Sequence, residues 1–488
     1  MFPVRGTWDV ERETEMATIN AAFYLVTGAL QADQSALDIV ANNVANANTP
    51  GYTREVPNWE ENAPVQMSGF SYGTGVSETG PTSVRDRVLE ERLAQQQQTA
   101  AGSAARLDAL DSMQALFAPA SGSAGSTAGD LGSDITGFFN SFTSLEGNPT
   151  DASLRNQVLA TARTLAGDVS NAAASLNAQR TSLDQQAASI ASQVNSLTGA
   201  IAQLNLEIQA NSPNADAGSL EDERQLDIGK LSQLVGINQI RTENNGISIT
   251  TTTGDLLTSE GTSYPLTKGT VNGETHFFLG TKDITSGLAA GDGQLGGLLT
   301  ARDEDIPEVL NALDELAYGL STQVNAVNNG GVDQNGNTGT AATPLYIFRQ
   351  PTTVAGSAAK MSVTMSDPSQ IAVAALGQGS GDNANARALA ALASSAVSGG
   401  LTPSGFYSRF VTALGATVAQ VQIENTAQNM SVAQLQTARN ALSSVNLNDE
   451  AASMQQFERS YQAASQVFAI LNKIMASAIN LGVQTAAS

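Results

Sequence analysis

Residues able to do chemistry are scarce in this chain, and the few present are poorly arranged for it. His276 is the only histidine among 488 residues, and there is no cysteine. The missing thiols exclude disulfides, thiolate metal sites and Cys nucleophiles. A single imidazole also excludes zinc-protease motifs and most transition-metal sites. His276 stands beside Phe277 and Phe278 in an alternating stretch, which reads as a sheet position without a catalytic role. A Ser-His-Asp triad built on it would need a G-x-S-x-G elbow between strand and helix. The sequence has none at such a turn.

Three further clusters have the composition of binding or reacting groups. Asp333-Gln334-Asn335-Gly336-Asn337 has the alternating oxygen donors of a calcium loop, but the twelfth position, where an EF-hand needs a bidentate Glu, is Pro344. A Gly/Asn turn is expected instead. Glu221-Asp222-Glu223-Arg224 offers paired carboxylates. It also falls in the first turn of a helix predicted to be capped by Ser219, with Asp222 three residues on, where acids suit the helix dipole. Gly291-Asp292-Gly293-Gln294-Leu295-Gly296-Gly297 precedes a helix but lacks both a phosphate-binding Lys and the dinucleotide spacing, so a tight turn is expected. No catalytic, metal-binding or cofactor-binding residue is predicted, and no cofactor.

The elements that carry these clusters are mainly helical, and the two ends of the chain resemble each other. Residues 17–48 place Ile19, Phe23, Val26, Leu30, Leu37, Val40 and Val44 at alternating three- and four-residue steps. Residues 449–481 do the same with Met454, Phe457, Tyr461, Ala464, Phe468, Leu471 and Met475. Such spacing marks helices that pack along a seam. Away from the seam a solvated helix carries mixed charge. Residues 17–48 instead hold only Asp33 and Asp38, and residues 451–488 only Glu458, Arg459 and Lys473. Both ends are therefore read as assembly surfaces whose seams lack partners in the single chain. The first helix is predicted to stop at Asn43 and Asn46, with Pro50-Gly51-Tyr52 turning the chain outward.

Between the ends, helix is predicted over 84–117, 131–147 and 151–210, the last about 90 Å long at ~1.5 Å per residue. Residues 84–117 and 400–440 are its expected antiparallel partners. A Gly/Ser linker spans 121–130. Residues 237–279 alternate, with turn signals at Asn244-Asn245-Gly246, Gly254-Asp255 and Asn272-Gly273. Short strands are expected at 345–348 and 361–365. The fold class is thus mainly α with an inserted β domain: a long antiparallel coiled-coil rod formed by the N- and C-terminal regions, with a small β domain in the middle. Its expected parts are residues 1–16, an extension without structure or a misassigned start; 17–60 with 441–488, a terminal coiled-coil domain; 61–236 with 295–330 and 380–440, a helical rod; and 237–294 with 331–379, a β-rich outer domain.

Net charge is −23, nearly all of it in the middle of the chain. That sign argues against nucleic acid or anionic lipid as a partner. No apolar run is long enough to span a bilayer, and residues 1–15 lack the basic-then-apolar order of a secretory signal.

The terminal motifs carry a resemblance. Ala29-Leu30 through Ala41-Asn42-Asn43-Val44-Ala45-Asn46-Ala47-Asn48-Thr49-Pro50-Gly51-Tyr52-Thr53-Arg54 is similar to the N-terminal signature of the flagellar rod, hook and hook-associated axial proteins. Ser444 to Glu450, Met454 to Glu458 and Tyr461 to Ala464 resemble their C-terminal signature, with Ser444 and Asn448 departing from the usual Gly and Asp. Asp222 to Leu226, Gly296 to Asp303 and Gly381 to Ala386 resemble, within that superfamily, the hook-associated family of the hook–filament junction. The resemblance implies a non-enzymatic structural part of the bacterial flagellum, exported unfolded by the flagellar type III apparatus and found outside the cell. It implies as partners other copies of the chain in an axial polymer, the hook protein, a second, filament-side hook-associated protein and an export chaperone. Hook or distal rod protein is the second reading. A flagellum-associated hydrolase is a third, disfavoured by the scarcity of metal ligands.

Overall fold

The computed structural model describes residues 7–67, 70–118, 130–211, 216–271 and 273–486, with side chains between residues 19 and 477. In chain order the elements are helix α1 (Thr7–Asn46), strands β1 (Glu55–Glu61), β2 (Val65–Met67), β3 (Phe70–Tyr72) and β4 (Val76–Ser83), and helices α2 (Arg87–Ala115), α3 (Leu131–Gly147), α4 (Ala152–Asn211) and α5 (Ser219–Leu234). Strands β5 (Ile237–Arg241), β6 (Ile247–Thr251), β7 (Leu256–Ser259), β8 (Thr262–Ser263), β9 (Leu266–Val271), β10 (Glu274–Leu279) and β11 (Lys282–Asp283) follow. The chain ends with helices α6 (Thr285–Ala289), α7 (Gly293–Thr300), α8 (Ile306–Asn329), α9 (Ala384–Ala391), α10 (Pro403–Ser443) and α11 (Leu447–Ala486).

Local chemistry explains the helix starts. The Asp86 carboxylate accepts from the N–H groups of Val88 and Leu89 at the head of α2, and Asp151 does the same for Ser153 and Leu154 at α4. Thr402 caps α10, with Pro403 at its first position. Each cap satisfies donors that a helix cannot pair internally. The core runs between α3 and α4, where Phe138, Phe142, Leu145, Val158, Leu165 and Val169 are fully buried. Phe138 also meets Phe348 at 5.4 Å between ring centroids.

Helix α4 is the spine, 60 residues long. Its neighbours differ from the expected ones. α10 pairs with α2, through Asn425 on Ala100 and Ser103 and an edge-to-face contact of Phe117 with Phe410. α4 instead carries α3 and α5 at its ends and the sheets along its second half. The reason is polar: Asn195 bonds both the N–H and the C=O of Leu266, and Asn205 both those of Ile247. Two asparagines thus dock a meander of β5-β6-β7-β8 and a second sheet of β11-β10-β9 onto one helix. Asn244 and Asn245 take positive φ in the β5–β6 turn, as the sequence predicts for a tight hairpin.

Three expectations fail. Residues 7–16, read as an extension without structure, are the first turns of α1, because the helix has no stop signal before Asn46; residues 1–6 lie outside the described residues. Residues 345–348 and 361–365 form no strands; they share the single bridge Phe348–Val363 and a bond from the Thr364 hydroxyl to the Tyr346 carbonyl. Residues 331–379 also do not join the β domain. They wrap the opposite end of α4, where the Arg155 guanidinium donates to the carbonyls of Pro149, Pro368 and Ile371. Buried irregular backbone needs partners, and α8 supplies them. Asn325 bonds Phe348, Asn328 bonds Leu345 and Ala372, and Asp314 accepts from Gly356 and Ala358. Apolar alternation at 345–365 reflects burial against these helices rather than strand pairing. The linker predicted at 121–130 and the break after Asn211 fall mostly outside the described residues.

Candidate assembly interface

α1 and α11 lie antiparallel and pack on each other, so each seam finds its partner within the chain. Phe23 meets Phe468 edge to face at 5.4 Å. Along α1, Val26 is buried and Ile19, Phe23, Leu30 and Leu37 are half-buried; along α11, Met454, Phe457, Phe468 and Leu471 are half-buried, whereas Tyr461 is exposed. Phe457 turns from α1 to Trp59 of β1, at 5.9 Å and 90°. The expectation that the seams stand open in one molecule is therefore corrected. The two apolar stripes complete one another because their spacings match.

α1 has a second cover that the sequence did not indicate. The hairpin of β1 and β4 lies along it: Ser35 donates to Glu78, Gly75 rests on Leu25, and Gly28 is held against the Val76 carbonyl. Ala36, Val40 and Asn43 are the deepest described residues of α1, and Ile39 between them is buried as well. Among the described residues, α11 meets the hairpin only through Phe457 and has no such cover along its outer face. Its outer face shows Val467 at 45 %, Ile470 at 55 % and Ile474 at 47 % exposure, at steps of three and four, and Tyr24 on α1 is 79 % exposed. The three side chains on α11 face water at helical spacing and form an exposed apolar stripe of the kind that marks contact sites. The signal was present in the sequence but was hidden behind the stronger seam.

The turn after α1 is organised by Asn43, 1 % exposed. Its amide donates to the Glu55 carbonyl at 2.8 Å and to the Glu450 carboxylate at 3.2 Å. Its oxygen accepts from the Glu55 N–H at 2.9 Å and from the Tyr52 hydroxyl at 2.8 Å. Burial, then the charges of Glu55, Asp222 and Glu450, push the Tyr52 hydroxyl well up, which keeps it a donor. Asn46 binds Asn42 and accepts from Thr49. Pro50 is exposed, and Gly51 adopts φ +84, a conformation glycine takes without strain, while its carbonyl accepts from Arg439.

The acidic run at the head of α5 is the other joint. Ser219 is not its cap: Gly218 holds that place with φ 54 and no side-chain bond. Asp222 instead accepts from the Thr53 N–H at 2.8 Å and pairs with Arg85. Arg85 also reaches Glu221 at 3.4 Å and Glu90 at 3.9 Å, and Arg87 reaches Glu221 at 3.1 Å. Burial raises the Asp222 and Glu90 carboxyls, and Arg85 opposes that rise in both. Asp216 binds the Ser83 N–H at 2.6 Å. The network ties residues 53 and 83–87 to α5.

The remaining candidates are absorbed by the fold. Asp333 accepts from the N–H groups of Asn335 and Asn337, as a Gly/Asn turn requires. His276 Nδ1 lies 2.6 Å from Asp283. In the glycine-rich stretch, Gly293 and Gly297 abut the backbone of Gly102, so a Cβ on Gly297 would fall 2.1 Å from the Gly102 oxygen. These glycines let α7 cross α2 closely, beyond the tight turn expected. Among the described residues no group of three or more metal-ligating side chains is assembled, and no helix is long and apolar enough to cross a membrane.

Residues 121–342 match the helical domain of flagellar hook-associated protein FlgK, and residues 23–53, the later part of α1 and its turn, match the flagella basal body rod protein family. Flagellar hook-associated protein 1 of Bacillus subtilis is 27 % identical over 93 % of this chain and 96 % of its own length. That of Escherichia coli is 22 % identical over 93 % and 98 %. That of Salmonella typhimurium is 26 % identical over 64 % of this chain and 57 % of its own. The solved flagellar hook junction protein FlgK of Burkholderia pseudomallei superposes with a TM-score of 0.61 at 18 % identity, covering 73 % of this chain and 100 % of that one.

Proposed function

We infer that the chain is a member of the flagellar hook-associated protein 1 family and a structural component of the bacterial flagellum, built into the junction between hook and filament; the helical-domain match and the full-length likeness to the Bacillus subtilis protein support this. The helical-domain match over residues 121–342 favours the junction over a hook or distal rod role, since the rod-family match covers only residues 23–53.

Copies of the chain pack through the terminal hairpin. The observation that carries this reading is the uncovered face of α11, with Val467, Ile470 and Ile474. Burying the exposed half of each contributes about 1 kcal/mol. Repeated around a polymer, that is enough to favour the assembled state. The seam residues Phe23, Val26, Leu30, Leu37, Phe468 and Leu471 then act by holding the hairpin closed, so that the outer face is presented as one surface. Asn43, Asn46, Pro50, Gly51 and Tyr52 fix the direction in which the chain leaves it. The hook protein on one side, a filament-side hook-associated protein on the other, and an export chaperone are the partners this role requires, with export before folding. The role is structural, not enzymatic.

Ile470→Asp tests the reading. The variant is expected to be exported and to melt as the parent does, but to be missing from purified junctions, with filament subunits lost to the medium. Junctions containing Ile470→Asp at the parent's level would refute it.

A further inference from the structure

In a chain of net charge −23, four of 23 basic residues converge on one recess of about 430 Å³ between α2, α5 and the β5–β6 hairpin: Arg85, Arg87, Arg224 and Arg241. Three of them have partners. Arg85 and Arg87 hold Glu221, and Arg224 is buried against Asn205 and the Asn245 carbonyl. Arg241 makes no ion pair among the described residues, although it faces Arg87, and Thr242 Oγ1 beside it is buried without a hydrogen-bond partner. Glu90, Glu91 and Glu221 line the same recess, but none of them forms an ion pair with Arg241, which is set beside Arg87 and is left to meet an anion from outside.

The opposite arrangement lies at the other end of α2. Glu304, just before α8, and Glu308 and Glu315 on it, at steps of four and seven, form an exposed ridge that lines a groove of about 470 Å³ floored by Phe406, Phe410 and Leu414, with Arg409 also on its wall. None of the three makes an ion pair among the described residues; Glu315 accepts only from Ser398. Glu90 borders the recess and Leu110 the groove, so the two sites are separated by about 30 Å at ~1.5 Å per residue of α2. They cannot meet within one molecule.

We propose that neighbouring copies of this chain bind side by side through these unlike patches, the Arg87–Arg241 recess of one copy receiving the Glu304–Glu308–Glu315 ridge of the next. A contact between two different surfaces is head-to-tail, and its repetition generates a ring or a helix rather than a closed dimer. That suits a tubular polymer. It also gives the acidic chain a specific place to neutralise like charge between copies, because charge complementarity sets register and excludes wrong partners. The proposal rests on the junction reading and adds the lateral partner surface.

The test is a charge swap in the full chain, read as copies incorporated per purified junction. Arg241→Glu and Glu308→Arg each place like charges face to face and are expected to cut incorporation about tenfold or more. Both sites are exposed, so each variant should melt as the parent does. The double variant restores the pair in reverse and should return incorporation to within about threefold of the parent. Single variants that incorporate normally overturn the proposal, and so does a double variant no better than the singles. If those variants incorporate normally while Ile470→Asp does not, only the lateral contact fails. If the unaltered chain is absent from junctions, both readings fall.

Discussion

Asn43→Ala isolates the joint between α1 and the hairpin. The side chain makes four hydrogen bonds at 2.8–3.2 Å, and Ala removes them all. Two of the former partners have substitutes: the Tyr52 hydroxyl can turn to Asn42, 3.3 Å away, and Glu450 keeps Arg54 at 4.0 Å. The N–H and C=O of Glu55 lose their Asn43 bonds with no such replacement. Leaving two such groups unpaired on half-buried Glu55 costs roughly 1–2 kcal/mol each, so local stability should fall by about 2–4 kcal/mol. At 1.4 kcal/mol per decade, opening of the joint becomes roughly thirty- to several-hundredfold more frequent. Tryptic cleavage after Arg54 reports it, because cleavage tracks the open population when reclosing is fast. Asn43→Asp should be worse than Ala at neutral pH, since it sets a carboxylate beside Glu450, and should improve on acidification. Cleavage after Arg54 at the parent's rate in both variants would refute the assignment of Asn43 as the centre of this joint.

Two more predictions concern the rod. Asp314→Ala leaves the Gly356 and Ala358 N–H groups, bound at 2.7 and 2.8 Å, without an acceptor; urea unfolding should show a loss of about 2–4 kcal/mol, and an unchanged midpoint would contradict the role given to Asp314. Asp134 faces Asp168 between α3 and α4, and burial, then a hydrogen bond shared with Asp168, raises its carboxyl to about 6. Its folded state binds the proton more tightly than the unfolded chain does, so this contribution is full below about pH 4 and is lost as pH rises through about 6. Asp134→Asn should flatten that slope in thermal melts between pH 4 and 7, and a slope retained in the variant would count against it.

How much of this was legible in the sequence depends on how far apart the partners are. The seams of α1 and α11 and the Asn-rich turn are local patterns, and they were readable down to single residues such as Phe23 and Phe468. What each pattern packs against was not. A first-turn acid looks alike whether it caps its own helix or, as Asp222 does, binds Thr53 from 169 residues away. Asn195 and Asn205 carry no mark that they dock a sheet. Alternation at 345–365 has the same form whether strands pair or a loop is buried by Asn325 and Asn328. The exposed stripe of Val467, Ile470 and Ile474 was overlooked because a helix with two apolar faces shows its stronger period first.

The short connections deserve a mechanical reading. Covalently, the terminal hairpin joins the rod at two places: residues 84–86 between β4 and α2, and residues 444–446 between α10 and α11. A single tether would swivel. Two tethers, each three residues long, one of them anchored through Arg85 to the head of α5, form a yoke. Torque applied to the terminal hairpin must then turn the helices of the rod with it, which is what any shaft asks of its couplings.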